Sequence, residues 1–320
     1  MGAVTVVGSF VLDHAWAVER FPRVGETTIA LGFATAVGGK GFNQAVAALR
    51  LGARTRFIGA IGHDHLGEAG KQFARDEGLD CAWETHPTLP TAAASIMIDS
   101  SGANLIAVAL GANGALSADF VRSALAAGEP PDVLLAQLEA NLDATRAALT
   151  AARREGALTM LNPAPLNVRL DRSLLALADL LTPNEGEFQL LLALLFGIEL
   201  APDYFRSSDV LLNQWCRATG VATVVITLGA EGVFVSHDPD DPRGDARPFY
   251  RIAASPVATI DTTGAGDAFS GALAARLAEG RPDAFRDAVE FASRAAALST
   301  EARGCAPSMP TAAQLKARFG

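Results

Sequence analysis

The chain has 320 residues, half of them apolar and 19% charged, a globular composition sufficient for one large α/β domain or for two smaller ones. A formal net charge of −9, with no run of Lys or Arg, argues against a nucleic-acid binder acting through a general basic field. Cys81, Cys216 and Cys305 are widely spaced and offer neither a disulfide framework nor a metal spacing, which points to a reducing cytoplasm.

In chain order, the opening Met1-Gly2-Ala3-Val4-Thr5-Val6-Val7-Gly8 reads as a strand over 4–7 rather than a signal peptide. It ends in Gly8-Ser9-Phe10-Val11-Leu12-Asp13. An extended stretch without helical period, 15–37, runs into Gly38-Gly39-Lys40-Gly41-Phe42-Asn43-Gln44 and a helix over 43–51. Strand 55–61 and helix 66–77 follow. His63 and His65 flank Asp64, but residues i and i+2 share no helix face and no further ligand accompanies them, so no metal site is expected there. A second non-helical stretch, 92–109, has a hairpin signal at Asp99-Ser100-Ser101-Gly102. Then come helix 118–127, strand 133–138 with Gln137-Leu138-Glu139 at its end, and helix 142–155. Strand 158–161 closes in Asn162-Pro163-Ala164-Pro165, and strand 180–182 in Thr182-Pro183-Asn184-Glu185-Gly186-Glu187. The apolar run 190–196 is far too short to cross a bilayer. Strand 224–228 leads into Thr227-Leu228-Gly229-Ala230-Glu231-Gly232, and helices over 266–278 and 284–299 complete the pattern.

Strands separated by helices predict an α/β fold with a central, mostly parallel sheet flanked by helices on both faces. The two non-helical stretches predict a small β-sheet projecting from it, placed to cover a ligand as a lid. No repeat, linker or clean boundary interrupts residues 1–320, which are read as a single domain.

The segment Asp261-Thr262-Thr263-Gly264-Ala265-Gly266-Asp267, directly before the last helical pair, carries the strongest chemical signal. Glycines let a backbone approach a ligand closely, and a helix starting there presents unpaired N–H groups and a positive dipole end to an oxyanion. A carboxylate does not bind an anion, so Asp267 at the mouth of such a site reads as a proton acceptor. The alternative is a surface loop with an Asp N-cap. In a parallel sheet, ligands gather beyond the carboxyl ends of the strands, where Asp13, Gly39, Lys40, Glu139, Asn184 and Glu187 fall. Each also has a plain structural reading: turn carboxylates for Asp13 and Glu139, a flexible turn with a solvated lysine, and a helix start at Asn184–Glu187. The segment after the first strand lacks the Gly-x-Gly-x-x-Gly fingerprint, and no Walker A sequence occurs, which excludes a Rossmann dehydrogenase and a P-loop NTPase.

Taken together and in this order, these segments resemble the ribokinase (PfkB-type) family of carbohydrate kinases. The resemblance runs from Val4 to about Pro310 and rests on Gly38–Gln44, Gly111-Ala112-Asn113, Asn162-Pro163-Ala164, Thr182–Glu185, Ile226–Gly229 and Asp261–Asp267. It implies an ATP-dependent transfer of the γ-phosphoryl group to the primary hydroxyl of D-ribose or a similar sugar. Asp267 is then the base, and Gly264, Ala265 and Gly266 are the anion hole. Asp13, Gly39, Lys40, Asn43 and Glu139 match sugar contacts. Asn184, Thr227, Leu228, Gly229, Ala230, Glu231, Gly232, Gly266 and Ser293 match the nucleotide side. Asn184 and Glu187 match a motif that organises Mg²⁺ through water. Asp261, Thr263, Ser299, Ala302, Gly304 and Ser308 match a monovalent-cation site, typically K⁺. A homodimer through the lid is likewise an expectation of the resemblance.

The chain departs from the ribokinase pattern at four places. Val11 stands where ribokinases usually carry Asn, removing one hydroxyl partner. Phe42 stands where they carry a small residue, placing an aromatic face to stack on a sugar ring or reshape the pocket. Ser293 replaces a His near the adenine. The 188–220 segment is longer and more apolar, adding a helix or a contact surface. These departures leave a nucleoside or another sugar as the alternative substrate, with a non-catalytic sugar-binding protein disfavoured because base and anion hole are intact.

Overall fold

The computed structural model describes residues 2–166, 170–241, 243–280 and 285–320. The chain alternates strands and helices as β1 (Ala3–Val7), β2 (Val11–Ala17), β3 (Gly32–Gly38), α1 (Lys40–Arg50), β4 (Arg54–Gly62), α2 (His65–Glu77), β5 (Asp80–His86), β6 (Ala93–Ile98) and β7 (Asn104–Ala109). It continues through α3 (Ala118–Ala127), β8 (Val133–Ala136), α4 (Leu142–Arg154), β9 (Leu158–Leu161), α5 (Arg172–Leu175), β10 (Leu180–Leu181), α6 (Glu185–Phe196) and α7 (Asp209–Ala218). The last part is β11 (Thr223–Thr227), β12 (Val233–His237), β13 (Phe249–Ile252), α8 (Ala265–Ala278), α9 (Phe285–Ser299) and α10 (Ala312–Phe319).

The main sheet runs β13-β12-β11-β10-β9-β8-β1-β4-β5. From β5 to β11 every pair is parallel, and β12 and β13 add an antiparallel edge. Every residue of β1 and β8 is buried, as expected of strands covered by helices on both faces. Side-chain alternation then divides the core: Val4 and Val6 face Phe42, Phe57, Phe269 and Leu273, while Val7 faces the layer of Ile58, Leu134, Leu161 and Phe188. Helices α1 and α8 lie side by side, close enough that a Cβ at Gly271 would stand 2.4 Å from the Gln44 carbonyl oxygen. That close approach brings both glycine-rich N-termini to one place above the strand ends.

A second sheet, ordered β3-β2-β6-β7, is the expected lid. β2 pairs antiparallel with β3 and parallel with β6, and the β6–β7 hairpin turns through Gly102 at φ +84°. The lid strands differ in extent from the sequence reading. Strand structure covers 11–17 and 32–38, and the intervening 18–31 is irregular, so Asp13 rides on a lid strand itself. Phe33 and Leu105 stand exposed on one face of this sheet, and Ile106 and Val108 on the other.

Strands β5, β12 and β13 escaped the sequence pattern because polar residues such as Asp80, Glu84, Ser236 and His237 interrupt their apolar character. The first residue of the expected 284–299 helix lies outside the described residues. The longer 188–220 segment completes α6, closes it at Gly197 in a left-handed conformation, and adds a short turn at Tyr204–Arg206 before α7. Among the described residues no helix is long and apolar enough to cross a membrane.

Candidate active site

Helix α8 starts at Gly264, whose φ of +79° suits glycine and which provides no side-chain cap. The first-turn N–H groups therefore have no capping side chain, as an oxyanion site requires. Asp267 is the third residue inside the helix and caps nothing, which rules out the Asp N-cap alternative. It is 6% exposed, with Oδ2 accepting from Asn43 Nδ2 and Oδ1 from Gln44 Nε2, both at 2.9 Å. Both donors come from the glycine-rich start of α1, so the two signatures meet in one carboxylate. A cavity of about 130 Å³ lies in front, lined by Lys40, Asn162, Thr182, Asn184, Glu187, Thr227, Gly264, Gly266 and Asp267.

The cation of this cavity is Lys40. Burial alone would lower its pKa, but the carboxylates of Asp267, Glu139 and Glu187 outweigh it and hold the ammonium above its ordinary value. Glu139 accepts from the Lys40 backbone N–H at 3.0 Å and the Ser9 hydroxyl at 2.5 Å, which fixes its orientation. Asp13 approaches from β2. Burial pushes its carboxyl up to about 6, the carboxylates of Glu139 and Asp267 add to this, and the Cys305 thiol opposes it. Gly38 makes room for that carboxylate, since a Cβ there would stand 2.5 Å from Asp13 Oδ2. Gly39 begins α1 at φ +92°, with its Cα packed so near β2 that a Cβ would lie 2.7 Å from the Val11 nitrogen.

On the opposite wall, Asn184 and Glu187 form a reciprocal capping box: Oδ1 accepts from the Glu187 N–H at 2.8 Å, and Glu187 Oε2 from the Asn184 N–H at 2.9 Å. The structural reading of this pair is thus correct, and it leaves Glu187 Oε1 without a protein partner among the described residues. Burial raises the Glu187 pKa, while the Asn184 N–H and Lys40 work against it. Thr227 lies alongside, its N–H donating to the Pro183 carbonyl at 3.0 Å. Leu228 then enters the tight Gly229–Glu231 turn, and Gly232 follows with φ +91°, a Cβ there meeting the Ile252 carbonyl at 2.0 Å. Ala230 sits within this turn, and Glu231 pairs with Arg206 at 3.2 Å. Ser293 is on α9, its buried Oγ lacking a hydrogen-bond partner.

The 299–308 segment curls against the anion-hole loop. Asp261 accepts from the Thr263 N–H at 2.9 Å and the Gly304 N–H at 3.1 Å. Burial would raise its pKa, but these N–H donors hold it below the usual value. Ser308 Oγ donates to the carbonyls of Gly304 and Cys305, and Ser299 Oγ to that of Ala296. Ala302 lies on the same curl. Among the described residues no group of three or more His, Cys, Asp or Glu is placed to hold a metal ion; the donors on this curl are carboxylate, hydroxyl and carbonyl oxygens, the set a hard cation prefers. His63 and His65 gather no such group either, and Asp64 between them caps α2.

Phe42 corrects the sequence reading. It is fully buried and meets Phe10 and Phe57 edge to face, with ring centroids 5.1 and 5.4 Å away. Lys40, Asn43 and Gln44 share one face of α1, and Phe42 points into the core beneath it, so no ring is offered to a sugar. Val11 is buried too, against Ala92 and Ala94. Residues without an assigned role in the sequence reading also reach the site. Cys305 is beside Asp13, its thiol pushed up by burial and neighbouring carboxylates. Gln44, Gln137 and Asn162 form a buried amide network behind Asp267. Gln44, Gln137 and Asn162 all fall in the polar strand-end segments of the sequence, but nothing local indicates that they meet.

A family model described as pfkB family carbohydrate kinase matches residues 1–312. Ribokinase of Haemophilus influenzae is 40% identical over 309 residues, covering 96% of this chain and 95% of that protein. Ribokinase of Mus musculus is 33% identical over 311 residues, covering 96% and 92%. Among solved structures, ribokinase from Giardia lamblia superimposes with a TM-score of 0.87 at 26% identity, covering 99% of this chain and 98% of that chain. Arabidopsis thaliana ribokinase, complexed with ribose and ATP, gives a TM-score of 0.80 at 27% identity, with coverage of 99% and 98%. The chain belongs to the pfkB family of carbohydrate kinases and is an ATP-dependent sugar kinase of the ribokinase type.

Proposed function

We propose that this kinase transfers the γ-phosphoryl group of ATP to the primary hydroxyl of D-ribose or a closely similar furanose, with Asp267 as the base. The observation that carries this is the convergence of three groups on one small cavity: an uncapped helix start at Gly264, the Lys40 ammonium, and a carboxylate held at both oxygens. Asp13, Gly39, Asn43 and Glu139 bind the sugar hydroxyls and direct the primary one at Asp267. Asp267 takes its proton as the oxygen attacks the phosphorus, and ADP leaves. The N–H groups of Gly264, Ala265 and Gly266 hold the negative charge that grows on the transferred group, a preorganised electrostatic contribution. Lys40 faces the same charge across the cavity.

ATP lies along Asn184, the Thr227–Gly232 turn and Ser293. Asn184 and the free Oε1 of Glu187 suit a water-rich Mg²⁺, which takes few direct carboxylates. When bound, it neutralises charge on the phosphates. Asp261, whose oxygens each accept one N–H and keep a lone pair, suits a monovalent cation, K⁺, together with Thr263, Ser299, Ala302, Gly304 and Ser308. That charge steadies the loop carrying the anion hole. Exposed apolar side chains on the lid, Phe33 and Leu105 on one face and Ile106 and Val108 on the other, support a homodimer built through the lid.

An ATP-consumption assay over D-ribose, 2-deoxyribose, fructose and nucleosides tests the substrate, with ribose expected to have the highest kcat/KM. A higher value for a nucleoside would overturn the assignment. One observation favours 2-deoxyribose as the second reading: Val11 brings no polar atom to the sugar side, so one hydroxyl fewer can be satisfied. A deoxyribokinase of Salmonella typhi is 28% identical over 315 residues.

A further inference from the structure

Behind Asp267 the protein buries three carboxamides in a row. Gln44 and Gln137 are fully buried and Asn162 is 6% exposed. Their orientations follow from one fixed end. The Thr182 carbonyl oxygen can only accept, so the Asn162 atom 2.7 Å from it is Nδ2, and Oδ1 faces Gln44. The Gln44 atom 3.2 Å from that oxygen must then be Nε2, whose second hydrogen reaches Asp267 Oδ1 at 2.9 Å. Gln44 Oε1 is thereby turned the other way, where Gln137 Nε2 donates to it at 2.5 Å.

The arrangement has a cost. Gln137 Oε1 is buried without a partner, and an unsatisfied buried amide oxygen is destabilising. It also demands space: a Cβ on Gly8 would stand 2.0 Å from that oxygen and one on Gly41 2.9 Å. Turning Gln137 over would set its oxygen against that of Gln44, so the cost is inseparable from the direction of the donor.

We propose that Gln44 and Gln137 are positioning residues for Asp267. The file of amides keeps an N–H of Gln44, never its oxygen, toward the carboxylate, and Gln137 acts only through Gln44. With Asn43 on Oδ2, each oxygen of Asp267 accepts one N–H and keeps a lone pair, so the plane of the carboxylate, and with it the directions open to the sugar proton, are fixed. This inference rests on the reading of Asp267 as base.

The test is a double-mutant cycle on the full-length kinase with Gln44→Met and Gln137→Met, flexible replacements of similar length. Loss of the Gln44 donor should lower kcat about tenfold or more, because small misplacement of a reacting group is costly, with KM for sugar and ATP within about twofold. Gln137→Met should lower kcat several-fold, although residue 137 touches neither Asp267 nor substrate. The double variant should be no slower than Gln44→Met alone. Thermal melts establish that each variant is folded, and Gln137→Met carries the test if Gln44→Met is not. An unchanged kcat in Gln137→Met, or losses that multiply in the double variant, overturns the relay. Asp267→Asn separates the two layers. If it remains active, the base reading fails and the relay with it. If it is inactive while Gln137→Met keeps its full kcat, the relay alone fails.

Discussion

Replacing Asp267 with Asn isolates proton acceptance from everything else the carboxylate does. The wild-type group accepts from Asn43 Nδ2 and Gln44 Nε2, each at 2.9 Å. Asn has one acceptor oxygen, which Gln44 retains because its direction is set by Asn162. The new Nδ2 then meets Asn43, whose Oδ1 is buried and unpartnered and so can exchange places with its own Nδ2 to accept. The network closes again, and the fold should lose no more than about 1 kcal/mol, the scale of one net hydrogen bond. With an unfolding entropy of about 2.1 cal/mol/K per residue, that is only about 1–2 °C of Tm for a chain of 320 residues. Lys40 keeps Glu139 and Glu187 as carboxylate neighbours. Turnover should nonetheless fall by about 10²–10⁴, the contribution of a positioned general base. Steady-state kinetics give kcat, calorimetry gives sugar affinity, and the melt gives stability. A kcat within tenfold of wild type would refute the role of Asp267. A large loss of sugar affinity together with Tm would refute the claim that the site is otherwise preserved.

Phe42→Ala should cost about 3–5 kcal/mol, as truncation of a fully buried aromatic does, and lower Tm by several degrees, with the sugar KM within about twofold. A KM that rises severalfold at unchanged Tm would return Phe42 to the sugar pocket. Asp13 has its carboxyl raised to about 6, so its sugar-binding, ionised form is gained as pH rises through that value. KM for sugar should therefore fall between about pH 5 and 7 and flatten above, and a KM flat across this window counts against Asp13 as a hydroxyl acceptor. Exchanging K⁺ for Na⁺ at constant ionic strength should reduce activity through the Asp261 loop, and identical rates in the two salts sink the cation site. The Asp261→Asn variant should lose whatever difference the two salts produce.

Much of this enzyme is written in short-range patterns. The alternation of apolar runs with helical periods identifies the parallel sheet, and Gly38–Gln44 and Asp261–Asp267 carry their chemistry in backbone requirements that glycine meets locally. Asn184 and Glu187 read as a helix start at a spacing of three, which they are, and they also line the cavity. Phe42 shows where such reading stops. Its neighbours along the chain belong to the site, yet its side chain points away because successive residues of a helix differ by about 100°. Lys40 has no partner legible in the sequence, although three carboxylates from distant segments set its charge. Cys305 read as an isolated thiol, and the apolar run that opens β12 is only three residues long before Ser236 and His237.

The sequence alone determined the central parallel strands of the sheet, the lid, the two glycine-rich loops and the kind of reaction, because each depends on local periodicity or on a backbone that only glycine permits. Tertiary structure alone decided which side chains act together. Asn43 and Asp267 are 224 residues apart and hydrogen-bonded. Only the close approach of α1 to α8, made possible at Gly271, sets that contact and the amide file behind it. Hydrogen bonds at 2.9 Å require directions as well as distances, and those directions are settled by packing across the whole fold.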